Sequence, residues 1–132
     1  MRITADTNVL VRAMTGDDAR QSEVARATLA EAESVAVTIP ALCELVWVLA
    51  QGYRIPASEI ASAVRRLMNA GNVAVDRPAV TAGLVLLDAG GDFADGVIAY
   101  AGRWLGAEAF VSFDKKAVRL LEQQGQAARL LP

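Results

Sequence analysis

The stretch RITADTNVLVRAM, residues 2–14, decides how the fold of this 132-residue chain is interpreted. Residues 2–5 form a short block suited to a strand, and the apolar residues at positions 9–14 recur at helical spacing. Asp6 lies between the two segments. A strand that gives way to a helix so quickly is typical of an alternating α/β chain, with Asp6 at the carboxyl end of its first strand.

The same alternation continues to the end of the chain. Further helices are predicted at residues 18–33, 41–53, 58–70, 78–89, 92–105 and 115–124, with Pro40 where the second of these begins. Further strands are predicted at residues 35–39, 73–75, 109–113 and 128–131. Because such apolar strands alternate with helices, we predict one α/β domain over residues 1–132, a three-layer α/β/α arrangement around a mainly parallel sheet.

Composition narrows the class of protein. Apolar residues make up 54% of the chain and charged residues 21%, a balance typical of a packed globule. No apolar run reaches the roughly 20 residues of a membrane helix, and the N-terminus lacks the pattern of a secretion signal. We therefore expect a cytoplasmic protein without a membrane partner. We interpret the single cysteine, Cys43, as a small buried hydrophobe.

The absence of histidine restricts the available chemistry most strongly. It removes imidazole as a base, as the partner of a nucleophile and as a metal ligand, so serine–histidine and cysteine–histidine hydrolases are excluded. With one cysteine and no histidine, a structural zinc site is excluded too. Catalysis would have to rest on carboxylates, lysine or bound metal. The net charge of −2 counts against nucleic-acid binding, which usually shows as an excess of Lys and Arg.

Two aspartates follow predicted strands, Asp6 after the first and Asp114 after the fourth. In an open parallel sheet, ligands bind outside the carboxyl ends of the strands. Both residues also precede predicted helices, and Asp is among the best N-terminal caps, so capping is the alternative role.

A second pair of acids begins the helix predicted at residues 92–105. The spacing of Asp92 and Asp95 places both side chains on one face of its first turn. Asp92 alone would be a cap, and Asp95 alone would complement the helix dipole. Like charges this close need neutralisation, which a cation would provide.

Glu44 lies within the apolar segment ALCELVWVLA, residues 41–50. A helix that is apolar all round is mostly buried, so we expect Glu44 to be set among Ala41, Trp47 and Val48 in the interior. A buried carboxylate costs several kcal/mol unless something pairs with it. The alternative is an exposed Glu at the edge of the helix.

Considered together, these acids indicate one site. We expect the carboxyl groups of Asp6, Glu44, Asp95 and Asp114 to face one cavity at the C-terminal edge of the sheet. Hard oxygen ligands suit Mg²⁺ or Mn²⁺, which bind through few carboxylates, waters and substrate phosphate. The chemistry this predicts is phosphodiester hydrolysis by a metal-activated water.

At these residues the sequence resembles the PIN domains of the prokaryotic VapC toxin family, the nuclease half of toxin–antitoxin pairs. The resemblance runs nearly end to end and combines four pieces: Asp6–Thr7–Asn8, Glu44 in PALCEL, Asp92–Phe93–Ala94–Asp95, and Ser112–Phe113–Asp114. No single piece is specific, but their order, spacing and position make the combination strong.

The resemblance implies a Mg²⁺- or Mn²⁺-dependent endoribonuclease that is homodimeric and is held inactive by a VapB-like antitoxin blocking its acidic groove. It implies catalytic roles for Asp6, Glu44, Asp95 and Asp114, with Asp6 and Asp95 as metal ligands. Residues at supporting polar positions are Thr7, Asn8, Asp92 and Ser112, for which ordinary turn and cap hydrogen bonding is the alternative. Candidates for contact with RNA phosphates are Arg12, Lys115 and Lys116.

Gly96 departs from the resemblance, because similar sequences often carry Ala after the helix Asp. Glycine inside a helix costs about 1 kcal/mol, so we expect Gly96 to loosen the position of Asp95.

Two other functions remain open at this stage. Receiver domains and haloacid-dehalogenase-like phosphatases also place Asp at strand ends around Mg²⁺, although neither has a role for Glu44. The phosphatases want a second Asp two residues after the first, where this chain has Asn8. A domain that only binds a partner protein, without catalysis, is the other alternative.

Overall fold

A computed structural model describes all residues from 1 to 132 and contains seven α-helices and five strands. The helices are α1 (Thr7–Thr15), α2 (Ala19–Glu31), α3 (Ile39–Trp47), α4 (Ala57–Met68), α5 (Arg77–Asp88), α6 (Phe93–Trp104) and α7 (Lys115–Gln123). The strands are β1 (Arg2–Thr4), β2 (Ser34–Ala36), β3 (Val73–Ala74), β4 (Phe110–Ser112) and β5 (Ala128–Leu130). Each predicted element is present. None of the helices is long and apolar enough to cross a membrane.

The strands pair only in parallel, which confirms the predicted α/β class. Contacts along the chain divide it into two compact units, Met1–Asp76 and Arg77–Pro132. The first unit holds the three-stranded sheet β1-β2-β3, and the second holds the pair β4-β5. That the whole chain forms one domain stays a prediction.

In the first unit, helices α1 to α4 accompany the sheet. The register pairs Ile3 with Val35, and Val35 with Val73. The centre of the core is almost entirely closed to solvent and is formed by Leu10, Val35, Leu42, Leu45, Leu49, Ile60 and Val64. These residues come from α1, β2, α3, the π-helix Val48–Gly52 that continues α3, and α4, so burial joins all of these elements.

The strand predicted at residues 35–39 is shorter than expected, because β2 ends at Ala36 and α3 begins at Ile39. Val37 continues the extended chain, its N–H donating to the carbonyl oxygen of Ala74 at 3.0 Å. Thr38 then caps α3, with its hydroxyl accepting from the backbone N–H of Ala41 at 3.3 Å. A threonine cap followed by Pro40 in the first turn stabilises a helix start, and this overrides the β-branched character of Ile39.

The expectation that α3 is mostly buried is wrong for one of its faces. Leu42, Leu45 and Val46 are buried, whereas Glu44 is exposed and Trp47 is 65% exposed. α3 therefore has one buried face and one exposed face, although nearly all of its residues are apolar. Cys43, expected to be buried, is half-buried.

In the second unit, α5 and α6 pack against each other more closely than side chains normally allow. A Cβ atom placed on Gly96 of α6 would overlap the carbonyl oxygen of Ala82 and would lie 3.0 Å from the Cα of Gly83. A Cβ placed on Gly83 would lie 2.5 Å from the ring of Phe93, which is completely buried. Glycine at these two positions lets the helices approach.

Gly96 therefore has a structural role that the sequence did not indicate. We expected this glycine to loosen Asp95, but it lies buried at the contact between two helices. The expectation came from helix propensity alone, which ignores what faces the residue from another element.

We predict that Gly96→Ala destabilises the protein by roughly 1–3 kcal/mol, the usual range for overpacking a filled interior. Helix propensity alone would predict the opposite sign, a gain of about 1 kcal/mol. The matched control is Gly102→Ala in the same helix, where an added Cβ would meet only the Cβ of Ala107 at 3.8 Å. Urea denaturation should show a lower free energy of unfolding for Gly96→Ala than for wild type, and no such decrease for Gly102→Ala. Equal midpoints for the two variants would contradict the packing role.

Candidate active site

Asp6 lies just beyond the carboxyl end of β1 and caps α1, as its position in the sequence predicts. Its Oδ1 accepts a hydrogen bond from the backbone N–H of Thr7 at 2.8 Å. Asp6 and Asn8 are exposed, whereas Thr7 is buried. Thr7 is thus part of the packing beneath the acid, and Asp6 and Asn8 face solvent.

Asp114 occupies the equivalent position after β4 and caps α7. Its Oδ1 accepts from the backbone N–H groups of Lys116 at 2.9 Å and Ala117 at 3.2 Å. Its own backbone N–H donates to the Oγ of Ser112 at 3.0 Å. Ser112 therefore holds the backbone at Asp114. A hydrogen bond of this kind is what the predicted supporting role of Ser112 would require.

Asp92 is the N-cap of α6, and Asp95 lies in the first turn of that helix. The Oδ1 of Asp92 caps the helix by accepting from the N–H of Ala94 at 3.0 Å. Asp95 is half-buried, and burial raises the pKa of its carboxyl group, with the negative charges of Asp92 and Asp114 adding to the rise. Within the second unit, Asp92 and Asp114 therefore lie close enough to Asp95 for their charges to act on its carboxyl group.

The positions on either side of Asp95 explain why it is held there. Phe93, two residues before it, is completely buried against Gly83, and Gly96, the next residue, lies against Ala82. The backbone that carries Asp95 thus belongs to the most closely packed contact of the unit. In the sequence, the only sign of this packing around Asp95 is a glycine inside a helix.

Capping and ligand roles are compatible for these acids. Asp6, Asp92 and Asp114 each cap a helix through Oδ1, which confirms the capping alternative for all three. The caps use Oδ1 and leave the other carboxylate oxygen without a role in the cap. These residues can therefore cap a helix and still offer an oxygen to a cation.

Glu44 cannot be assigned to the site on grounds of burial. It is exposed on the same face of α3 as Trp47, so the argument that its charge must be compensated in the interior is wrong. An exposed carboxylate keeps its charge in water at little cost. Glu44 has the form of a solvent-accessible acid.

The three residues predicted to contact RNA phosphates differ in their surroundings. The guanidinium of Arg12 donates to Gln21 Oε1 at 2.7 Å and to Asp17 Oδ1 at 3.0 Å, so it links α1 to α2 and their connection. Asp17 also accepts from the hydroxyl of Tyr53 at 2.6 Å, and this bond is the main reason why its pKa is lowered. Lys115 and Lys116 are exposed at the start of α7.

The ligand type near Asp95, carboxylate oxygen, is the type that a hard divalent cation prefers. Half-buried Asp95, with two further carboxylates acting on it, has an excess of negative charge that a cation would offset, and carboxylate oxygen suits Mg²⁺ or Mn²⁺. No group of three or more His, Cys, Asp or Glu side chains is arranged closely enough to hold a metal ion.

We predict that Asp95→Asn raises the Tm of the metal-free protein at neutral pH. The folded-state pKa of Asp95 is raised, so ionisation destabilises the folded state above that pKa and has no effect once the group is neutral in both states, below about pH 3.9. The difference in Tm between variant and wild type should shrink as the pH falls. Thermal melts between neutral pH and about pH 3.9 test this prediction. A difference in Tm between variant and wild type that grows towards acid pH would contradict it.

Comparison with known proteins assigns the fold. No curated protein matches the sequence significantly. The family model described as PIN domain matches residues 3–122, a span that includes Asp6, Glu44, Asp95 and Asp114. PIN domains are generally nucleases and typically use divalent metal ions, which disfavours the receiver and phosphatase alternatives. With nearly its whole length matched, the chain belongs to the PIN domain family.

Proposed function

We propose that this protein is a Mg²⁺- or Mn²⁺-dependent endoribonuclease, the toxin of a VapBC-type toxin–antitoxin pair. The observation that carries the proposal is the state of Asp95, half-buried within a family-matched segment, with a pKa raised by burial and by two neighbouring carboxylates. Acids placed so that they repel one another are costly unless a cation offsets them. Carboxyl groups with a pKa raised by burial and by like charges are concentrated at functional sites.

We assign the metal-holding role to Asp6 and Asp95, and the role of proton acceptor to Glu44 or Asp114. A bound Mg²⁺ or Mn²⁺ would supply positive charge that favours ionisation of a water and stabilises the leaving oxygen. Glu44 and Asp114 are exposed, so either carboxylate can accept the proton of the attacking water and pass it to solvent. Ser112 and the capped N-terminus of α7 keep Asp114 in a fixed orientation.

The remaining polar residues position these acids or the substrate. Asp92 strengthens the negative field at Asp95, Thr7 packs beneath Asp6, and Asn8 offers an amide beside it. Lys115 and Lys116 are the proposed contacts for RNA phosphates, while Arg12 contributes mainly to the link between α1 and α2.

The proposed toxin role includes partners. We propose that the protein is a homodimer in the cytoplasm and that a VapB-like antitoxin keeps it inactive by covering the exposed acids. A short open reading frame adjacent to the gene should encode that antitoxin. Co-expression of the two chains, followed by light scattering of the purified complex, measures both the pairing and the number of copies.

We predict that RNA cleavage requires Mg²⁺ or Mn²⁺ and falls to background when a chelator is present. Without histidine, the chain has no side chain that activates water readily at neutral pH unless a cation assists. Gel analysis of a labelled RNA incubated with EDTA, and then with added Mn²⁺, measures this directly. Cleavage that persists in EDTA would show the mechanism to be wrong.

We predict that Asp6→Asn and Asp114→Asn abolish cleavage while leaving the fold intact. Asn caps a helix about as well as Asp, so each variant keeps the cap and loses only the charge. The increase in Tm caused by Mn²⁺ should also shrink, since a ligand stabilises the folded state according to its affinity.

The matched control for this experiment is Asp18→Asn. Asp18 caps α2, with Oδ1 accepting from the N–H of Gln21 at 3.0 Å, and it is not one of the proposed acids. Cleavage and the Mn²⁺ response should survive in this variant. If all three variants behave like wild type, Asp6 and Asp114 are caps only.

A further inference from the structure

The β4-β5 pair has one covered face and one open face. Phe110 and Ala128 pack against the cluster formed by Leu86, Ala99, Leu120 and Leu121, so their side of the ribbon is closed. Side chains alternate along a strand, which places Val111 and its register partner Arg129 on the opposite side. Val111 is 44% exposed and Arg129 is exposed.

Phe113 lies between the end of β4 and Asp114. It follows β4 directly, where the chain bends towards the start of α7. Phe113 is 73% exposed, which leaves most of an aromatic ring in water immediately before a proposed catalytic acid. We call Val111, Phe113 and Arg129 together the stacking face.

The segment that carries the stacking face is positively charged, unlike the chain as a whole. Residues 110–132 carry four cations, Lys115, Lys116, Arg119 and Arg129, against two acids, Asp114 and Glu122, which makes a net charge of +2 for this segment. The complete chain has a net charge of −2. Both lysines of the protein directly follow Asp114. Local positive charge beside an exposed ring suits a polyanion that carries aromatic groups.

We propose that the stacking face binds an unpaired RNA base on the ring of Phe113, with Lys115 and Lys116 contacting the flanking phosphates, and so positions the strand at Asp114. Aromatic side chains stack on bases only where the strand is unpaired, so this surface selects single-stranded segments over duplex. Placement at Asp114 rests on the proposed nuclease function, whereas base binding does not depend on it.

A second copy of this chain fits the same surface poorly. A stable interface buries about 800 Å² per partner around an apolar centre, and the stacking face offers two apolar side chains bordered by cations. Two copies of the face would also bring like charges together. Phosphates of RNA complement those charges.

The decisive experiment measures binding separately from cleavage. A fluorescein-labelled single-stranded oligoribonucleotide of roughly ten nucleotides is titrated in EDTA, with fluorescence anisotropy as the readout. Phe113→Ala should weaken binding roughly 5- to 100-fold, the range for losing one stacked base, whereas Phe113→Trp should retain affinity. The matched control is Trp104→Ala, since Trp104 is 77% exposed in α6 and outside the stacking face. A labelled duplex of the same length should bind less tightly to wild type and respond weakly to Phe113→Ala.

Salt dependence separates stacking from phosphate contact. Replacing both Lys115 and Lys116 with Gln should reduce the slope of log K against log salt by about 1.4, at roughly 0.7 per phosphate contact on a single strand. Phe113→Ala should lower affinity at every salt concentration and leave that slope unchanged. A change of slope in Phe113→Ala would contradict a stacking role.

The outcomes also distinguish this proposal from the nuclease proposal. If wild type binds single strands through Phe113 but cleaves nothing with Mn²⁺, the binding surface stands and the nuclease proposal fails. If wild type cleaves RNA and Phe113→Ala binds like wild type, the stacking face is overturned. It is also overturned if Phe113→Ala leaves RNA binding unchanged and converts a dimer to a monomer in light scattering, since a second copy then covers the face.

Discussion

The contact between α5 and α6 is the constraint on which the acidic chemistry of the second unit depends. Gly96 lies against the carbonyl of Ala82, and the ring of Phe93 fills the space that a side chain on Gly83 would need. Asp95 stands between Phe93 and Gly96, so its backbone cannot move without disturbing the core. This rigidity holds a half-buried carboxylate close to two others, an arrangement that relaxation would otherwise remove.

Helix capping orients three of the carboxylates at helix starts in this protein. A capping aspartate is oriented by the N–H groups it accepts from. Asp6, Asp92 and Asp114 are oriented in this way, which makes each a defined negative group at a helix start. Asp95 differs, because burial and its neighbours disfavour its charge. Within the second unit, Asp95 therefore lies near the carboxylates of Asp92 and Asp114, and a cation would offset the negative charge gathered there.

Charge is distributed unevenly along the chain, which resolves the conflict between a net negative protein and a nucleic-acid substrate. The acids follow strands and begin helices, while the only lysines follow Asp114 at the start of α7. A phosphate backbone responds to the local field within about a Debye length, roughly 8 Å in physiological salt, and much less to total charge. The net charge of the whole chain therefore says little about whether one of its surfaces can bind a polyanion.

Local patterns in the sequence determined the alternation of strands and helices and the capping positions of Asp6, Asp92 and Asp114, because these features depend on residues within one turn or one strand. The alternation in turn indicated parallel pairing. Only the tertiary structure decided that Glu44 and Trp47 face solvent, since a helix with apolar residues all round does not indicate which side meets the core. The same is true of Gly96, and of the bond between Asp17 and Tyr53, whose partners are 36 residues apart. Packing between distant segments sets burial, close approach and pKa, and no short stretch of sequence contains that information.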